Sequence, residues 1–116
     1  MKALTAALVV AATAVLLAPN ASADSTDDQF LSRIMLISDP SLTQAIAINP
    51  QLVTSTGRKI CSMVEENYGY EAITGLVQDR LHLFGDNPSF ISGLVGAYAV
   101  ANDCPEHNSD SPFANF

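Results

Sequence analysis

The chain contains 116 residues, with five basic side chains against twelve acidic ones and a formal charge of −7 at pH 7. Nucleic acids and anionic membrane surfaces are bound through clustered Lys and Arg, so this balance argues against both as partners. A chain of this length has room for one domain with one modest hydrophobic core.

The N-terminus has the layout of a secretory signal peptide. Lys2 supplies a positive start, residues 3–18 are apolar apart from two threonines, and residues 21–23 (Ala-Ser-Ala) suit a cleavage site. The apolar run is shorter than the roughly twenty residues that span a bilayer, which favours a cleaved leader over a retained anchor. We expect cleavage between Ala23 and Asp24, an exported chain and no transmembrane segment after the leader.

Two helices are predicted at the start of the exported part. Residues 24–29 are polar and acidic, and are expected to form a loose lead. Phe30 and Ile34 then recur at helical spacing, which predicts a first helix over about residues 27–37. Residues 39–40 (Asp-Pro) match an N-cap followed by proline at the first helical position, and predict a short second helix.

The third helix is predicted from residues 49–50 (Asn-Pro), which repeat this start signal, to about Asn67. Gly57 weakens its middle, so the helix boundaries between Ile37 and Gly57 are left open. Gly69 is expected to end the third helix as a left-handed C-cap.

The last two helices follow the same pattern of starts and stops. Ile73, Val77, Leu81 and Phe84 predict one face of a fourth helix, which Gly85 is expected to end. Residues 87–88 (Asn-Pro) start a fifth helix that runs toward Cys104, where Pro105 stops it. Its small residues Gly93, Gly96 and Ala97 would let another helix approach closely, as in a buried central helix.

The predicted fold is therefore all-α, a small bundle of four to five short helices. No alternation of apolar and polar residues indicates strands. The helical domain is expected over residues 30–105, followed by a flexible polar tail over residues 106–116, despite two late phenylalanines.

Cys61 and Cys104 are the only cysteines, and an exported small domain is expected to pair them in a disulfide. Arg58 lies three residues before Cys61 and would favour a thiolate on the same helix face. A nucleophilic cysteine also needs a base, and the only histidines are His82 and His107. There is no C-x-x-C motif and no zinc-ligand spacing, so a structural disulfide is favoured and Arg58 is expected to be solvated.

No other segment predicts catalysis, a cofactor or a metal site. Residues 65–66 (Glu-Glu) read as a solvated face, and the acidic residues 24–28 lack the spaced ligands of a calcium loop. Nucleophile-elbow, phosphate-loop and zinc-protease motifs are absent. Tyr68 and Tyr70 are expected either to pack beside their turn or to form an exposed aromatic contact.

Three short segments, in this order, resemble a known family: D-D-Q-F-L (27–31), G-R-K-I-C (57–61) and A-Y-A-V-A-N-D-C-P (97–105). They are similar to small exported mycobacterial proteins grouped as domain of unknown function 732 (DUF732). The resemblance implies a helical, disulfide-linked, exported domain in the cell envelope or outside the cell, and it carries no catalytic residues. The family often has Tyr before the final Cys-Pro, where this chain has Asp103.

The expected function is that of a secreted, non-enzymatic domain that binds a protein or an envelope component. A carrier of a small apolar ligand or lipid is the alternative, and an enzyme is the third and least favoured reading. The partner and the ligand-binding residues are not identified by the sequence.

Overall fold

The computed structural model describes residues 25–116, and the predicted leader and its cleavage site lie outside them. The helices are α1 over residues 25–34, α2 at Pro40–Ile48, α3 at Pro50–Glu65, α4 at Tyr70–Leu81 and α5 at Pro88–Asp103. A 3₁₀ turn at Met35–Ile37 extends α1, and another at Pro105–His107 follows α5. Over the described range there is no strand, which confirms the all-α prediction. No helix in that range is long and apolar enough to cross a bilayer.

Helix starts follow the Asx-Pro signals in the sequence. The side chains of Asp39, Asn49 and Asn87 each accept a hydrogen bond from a backbone N–H in the first turn of α2, α3 and α5. Proline occupies the first helical position in all three, where its missing N–H costs nothing. The three predicted starts are confirmed, and Asn49 serves both as the C-cap of α2 and as the N-cap of α3.

Helix ends differ from the glycines expected to make them. The residue in the left-handed conformation after α3 is Asn67 (φ 65°), while Gly69 is extended and precedes α4. Helix α4 stops at Leu81, where His82 takes the left-handed conformation (φ 51°) well before Gly85. Asn and His are among the non-glycine residues that adopt this conformation most readily, so both ends close without glycine.

The N-terminal lead also differs from the prediction, because residues 25–29 are helical and not loose. Acidic side chains in a first helical turn interact favourably with the helix dipole, and Asp27 has in addition a cationic partner on α3. Helix α3 runs unbroken through Gly57.

The hydrophobic core lies around α5, which packs against both α3 and α4. Phe30 and Ile34 of α1 and Leu42 of α2 complete it from the other side, each at most 1% exposed. The aliphatic residues of the three longest helices in this core are Val53, Ile60, Met63, Val64, Ile73, Val77, Leu81, Val95 and Val100. The face predicted for the fourth helix is buried at Ile73, Val77 and Leu81, whereas Phe84 is 57% exposed.

The C-terminal segment, residues 106–116, folds back over the bundle and differs in this from a flexible tail. Phe113 is only 4% exposed, and its ring centroid lies 5.4 Å from that of Tyr70. Phe116 stacks on Tyr70 at 6.2 Å and lies 5.7 Å from the ring of Phe90. The physical reason is that two phenylalanines in an otherwise polar segment find an apolar surface within reach.

Glycines on α5 make room for these rings. A Cβ atom at Gly96 would overlap the ring of Phe113, and one at Gly93 would overlap Phe116 and the hydroxyl of Tyr70. The small-residue face of α5 therefore receives aromatic side chains from the C-terminal segment, together with Tyr70 of the neighbouring helix α4.

We predict that Gly96→Ala lowers the free energy of unfolding by about 1–3 kcal/mol, because the added methyl overpacks the buried Phe113 ring. The matched control is Gly75→Ala in α4, where a Cβ meets nothing within 4 Å. That substitution should instead stabilise by about 0.5–1 kcal/mol through helix propensity. Urea denaturation of both variants measures this, and equal effects at the two positions would contradict the packing.

Candidate functional site

The predicted cysteine pair forms one disulfide, Cys61–Cys104, with 6.0 Å between the Cα atoms. Cys61 belongs to α3 and Cys104 follows the last residue of α5, so the bond joins the middle of one helix to the end of another. Both residues are buried. With both sulfurs in the bond there is no thiol for a nucleophile, and no free cysteine is present.

The disulfide is one contact in a larger meeting of three distant segments, which we call the motif junction: residues 26–30, 57–61 and 102–104. Arg58 Nη1 donates to both carboxylate oxygens of Asp27, at 2.7 and 2.8 Å. Asn102 Nδ2 donates to the backbone oxygen of Thr26 at 2.9 Å. The three segments that carry the family resemblance are therefore joined in space.

Arg58 is an ion-pair partner and not the freely solvated charge expected from the sequence. Its side chain is 56% exposed and that of Asp27 is 28% exposed. An exposed ion pair of this kind contributes no more than about 1 kcal/mol. The pair thus helps to place α1 on α3 but adds little to the stability of the fold.

Gly57 permits the close approach of α1 and α5 to α3. A Cβ atom at this position would lie 2.9 Å from the Phe30 ring and 3.1 Å from Oδ2 of Asp103. Phe30 is 1% exposed, so its ring has little freedom to move aside. The glycine that looked like a helix break in the sequence is explained by this packing.

Asp103 places a carboxyl group inside the motif junction. Its Oδ1 accepts a hydrogen bond from Asn102 Nδ2 at 2.8 Å, while its buried Oδ2 has no hydrogen-bond partner among residues 25–116. Burial raises the pKa of Asp103 above its ordinary value of 3.8, and the nearby Asp27 carboxylate raises it further. The Asn102 hydrogen bond and the Arg58 charge oppose that shift but do not cancel it.

Neither histidine serves as the base of a cysteine nucleophile, because Cys61 is held in the disulfide. His82 is an exposed cap residue of α4. His107 lies on the second 3₁₀ turn, with Nδ1 3.0 Å from Asp110 Oδ1. Glu65 comes close to His107 and Glu106, with potential ligand atoms within 4.8 Å of one another, a convergence that sequence spacing did not indicate. Both glutamates are solvent-exposed, and such groupings are common on acidic surfaces that bind no ion.

The two tyrosines beside Gly69 separate in the structure. Tyr70 packs inward against Phe113 and Phe116, as expected for a residue beside its turn. Tyr68 is 46% exposed, and this side chain alone keeps the character of a surface aromatic contact.

A concave surface that no motif-junction residue lines lies between α2, the start of α3 and the end of α4. We call it the apolar groove, and its volume is about 300 Å³. It is lined by Ser41, Gln44, Ala45, Ile48, Asn49, Leu52, Arg80, Leu81, His82 and Phe84.

Local structure explains why the apolar groove stays open. The shared cap Asn49 turns the chain sharply between α2 and α3, which leaves Ile48 73% exposed at the rim. The left-handed His82 ends α4 early, so Phe84 lies in the following loop at the opposite rim. Ser41 Oγ lies 3.1 Å from the backbone oxygen of Phe84 and 2.5 Å from Asp39 Oδ2, so its one hydroxyl proton is shared between the cap of α2 and that loop.

Sequence reasoning missed the apolar groove because it assigned Leu81 and Phe84 to one continuous helix face. The groove exists because that face is interrupted at His82. A histidine between two leucines gives no sequence signal that it will adopt a left-handed conformation.

Comparisons with protein-family models, with curated proteins and with solved structures find no match to this chain in any of the three. The features of this chain on which a function can rest are therefore the motif junction and the apolar groove. The junction consists of packing, a disulfide and short-range polar contacts, which hold the fold. The groove offers solvent-accessible apolar surface, which is what a ligand requires.

We predict that replacing both Cys61 and Cys104 by Ala lowers the free energy of unfolding by about 4 kcal/mol, since the bond closes a long loop in the unfolded chain. Reductant should lower the stability of the native protein to a similar degree and leave the double variant unchanged. Mass spectrometry without reductant should find no free thiol, and two alkylatable cysteines would contradict the bond.

We predict that Asp103→Asn stabilises the protein more at about pH 7 than at about pH 3. The folded-state pKa of Asp103 is raised, so the cost of its charge is absent below the unfolded pKa and fully present above the folded one. The measurement is the difference in Tm between variant and native protein at the two pH values. Asp79→Asn, at an exposed position on α4, is the control. An identical Tm difference at both pH values would contradict the prediction.

Proposed function

We propose that this protein is an exported, non-enzymatic binding domain and that the apolar groove is its binding site for a small apolar molecule. The observation that carries the proposal is the groove itself, whose two rim residues Ile48 and Phe84 are 73% and 57% exposed. Contiguous exposed apolar surface with a polar rim is a feature of ligand-binding grooves.

The size and lining of the apolar groove favour a small molecule. Ligand pockets begin at about 300 Å³ and are lined mainly by apolar side chains with a few polar groups that fix orientation. The groove has that volume, and Leu52, Leu81 and Ala45 form its apolar wall. The sequence raised two binding hypotheses, a protein-binding domain and a carrier of a small apolar ligand. The volume and lining of the groove support the carrier.

A protein or envelope partner is the second candidate, on a different surface. Met35 and Leu36, on the 3₁₀ turn after α1, are 55% and 76% exposed. Neighbouring exposed apolar residues of this kind suit the centre of a small protein contact. Neither residue lines the apolar groove.

An exported setting and membership of the DUF732 family are part of the proposal. The Cys61–Cys104 bond supports export, because such bonds persist in oxidising compartments. The three segments of the family resemblance meet at the motif junction, which supports a shared structural role for them. A non-enzymatic role is supported by Cys61, the one candidate nucleophile, being held in the disulfide.

We predict that the oxidised protein, secreted by an expression host, binds the neutral apolar dye N-phenylnaphthylamine saturably. Ile48→Asp should weaken this binding by about tenfold or more, because it replaces apolar contact area with a charge at the rim. Titration of dye fluorescence at constant protein concentration measures the affinity.

The control for this prediction is Ala47→Asp, which adds the same charge at the neighbouring exposed residue of α2 that does not line the apolar groove. It should leave the affinity unchanged. Absence of saturable dye binding, or an equal loss in the two variants, would overturn the small-molecule site. Native mass spectrometry of the secreted protein then shows whether any ligand is carried from the host.

A further inference from the structure

We propose that the ligand of the apolar groove is a single-chain amphiphile with an anionic head group, whose alkyl chain lies along the apolar wall and whose head binds Arg80. This inference rests on the proposed function and adds the chemical class of the ligand. The observation behind it is the distribution of charge around the groove.

The apolar groove is free of acidic side chains in a strongly acidic protein. The sequence has twelve Asp and Glu residues against five Lys and Arg, yet none of those within the described range 25–116 lines the groove with a carboxylate. The ionisable residues in its lining are Arg80 and His82. An anionic group would meet repulsion over much of the protein surface, whereas at the Arg80 end of the groove it meets a guanidinium. The carboxylate of Asp39 lies beside the lining, where it is hydrogen-bonded to Ser41 on α2.

Arg80 is placed to receive a head group. Its side chain is half-buried, and its Nη2 donates to Ser55 Oγ at 3.2 Å, which fixes one edge of the guanidinium. Within residues 25–116 it forms no salt bridge. A guanidinium offers five N–H donors in a planar fork, so the remaining donors can bind an oxyanion in a bidentate manner.

Arg58 differs from Arg80 in its ion-pair partner and in the surface beside it. Arg58 is also on a helix and near a surface depression, but its guanidinium is occupied by Asp27 at 2.7 Å. The depression beside it is lined mainly by polar side chains, in keeping with a solvated ion pair. Arg80 combines a guanidinium without a carboxylate partner among residues 25–116 and an adjoining apolar wall, the two features that an anionic amphiphile requires.

The positions of Arg80 and of the rim residues orient the ligand in the groove. Ser55 and Arg80 lie where α3 and α4 face each other, whereas the exposed side chains of Ile48 and Phe84 form the outer rim. An alkyl chain whose head is bound at Arg80 covers the apolar wall formed by Leu52 and Leu81. Its burial removes apolar surface of both ligand and protein from water, which supplies the non-directional part of the affinity.

The test uses three probes with the same alkyl chain and different heads: octanoate, octanol and octylammonium. Each competes with N-phenylnaphthylamine on the oxidised protein at neutral pH and low salt. We expect octanoate to displace the dye at about one tenth of the octanol concentration, the size of one charge-assisted hydrogen-bonding contact. Octylammonium should be the weakest of the three.

Variants assign the preference to Arg80. Arg80→Gln should abolish the advantage of octanoate and leave octanol unchanged, while Arg80→Lys should keep part of it. The control Arg33→Gln removes the same charge at an exposed residue outside the apolar groove. A purely structural role of Arg80, such as its contact with Ser55, would change octanoate and octanol binding together.

The outcomes separate this inference from the proposed function. If octanol displaces the dye as well as octanoate does, the anionic class is overturned while the apolar site stands. If the octanoate preference survives in Arg80→Gln, the role of Arg80 is overturned. If no probe and no dye binds, the proposed function is overturned together with the inference.

Discussion

The disulfide between Cys61 and Cys104 is the constraint on which the rest of the architecture depends. It fixes the end of α5 to the middle of α3, and the residues beside it then find their partners. Asn102 reaches the backbone of α1, and Asp103 lies against Gly57. Because α1 and α5 both pack on α3, the hydrophobic core forms around α5. No junction residue lines the apolar groove, but the junction fixes the helix α3 whose first turn forms one of its walls.

The sequence predicted how the helices begin far better than how they end. An N-cap followed by proline is a local signal, because the capping side chain bonds to a backbone N–H only three residues ahead. An end depends on which residue accepts a left-handed conformation, and here Asn67 and His82 did so while two glycines did not end helices. Tertiary packing decides between such candidates, and single-sequence patterns do not contain it.

The candidate sites also differ in whether local sequence signals or distant contacts determine them. The cysteine pair followed from composition and compartment, since two cysteines leave one possible intramolecular bond. The partner of Arg58 and the packing role of Gly57 depend on residues about thirty positions or more away, and no local rule supplies them. The apolar groove could not be predicted from the sequence for the same reason. Phe84 lines it only because α4 ends at Leu81.

The buried Phe113 has a consequence for biogenesis. Its ring fills the space above Gly96, so part of the hydrophobic core is contributed by residues synthesised after every helix. The helices alone therefore leave that apolar surface open, and the bundle completes its packing only when the segment after Pro105 has been synthesised. The stacking of Phe113 and Phe116 on Tyr70 therefore requires residues that are synthesised after Cys104.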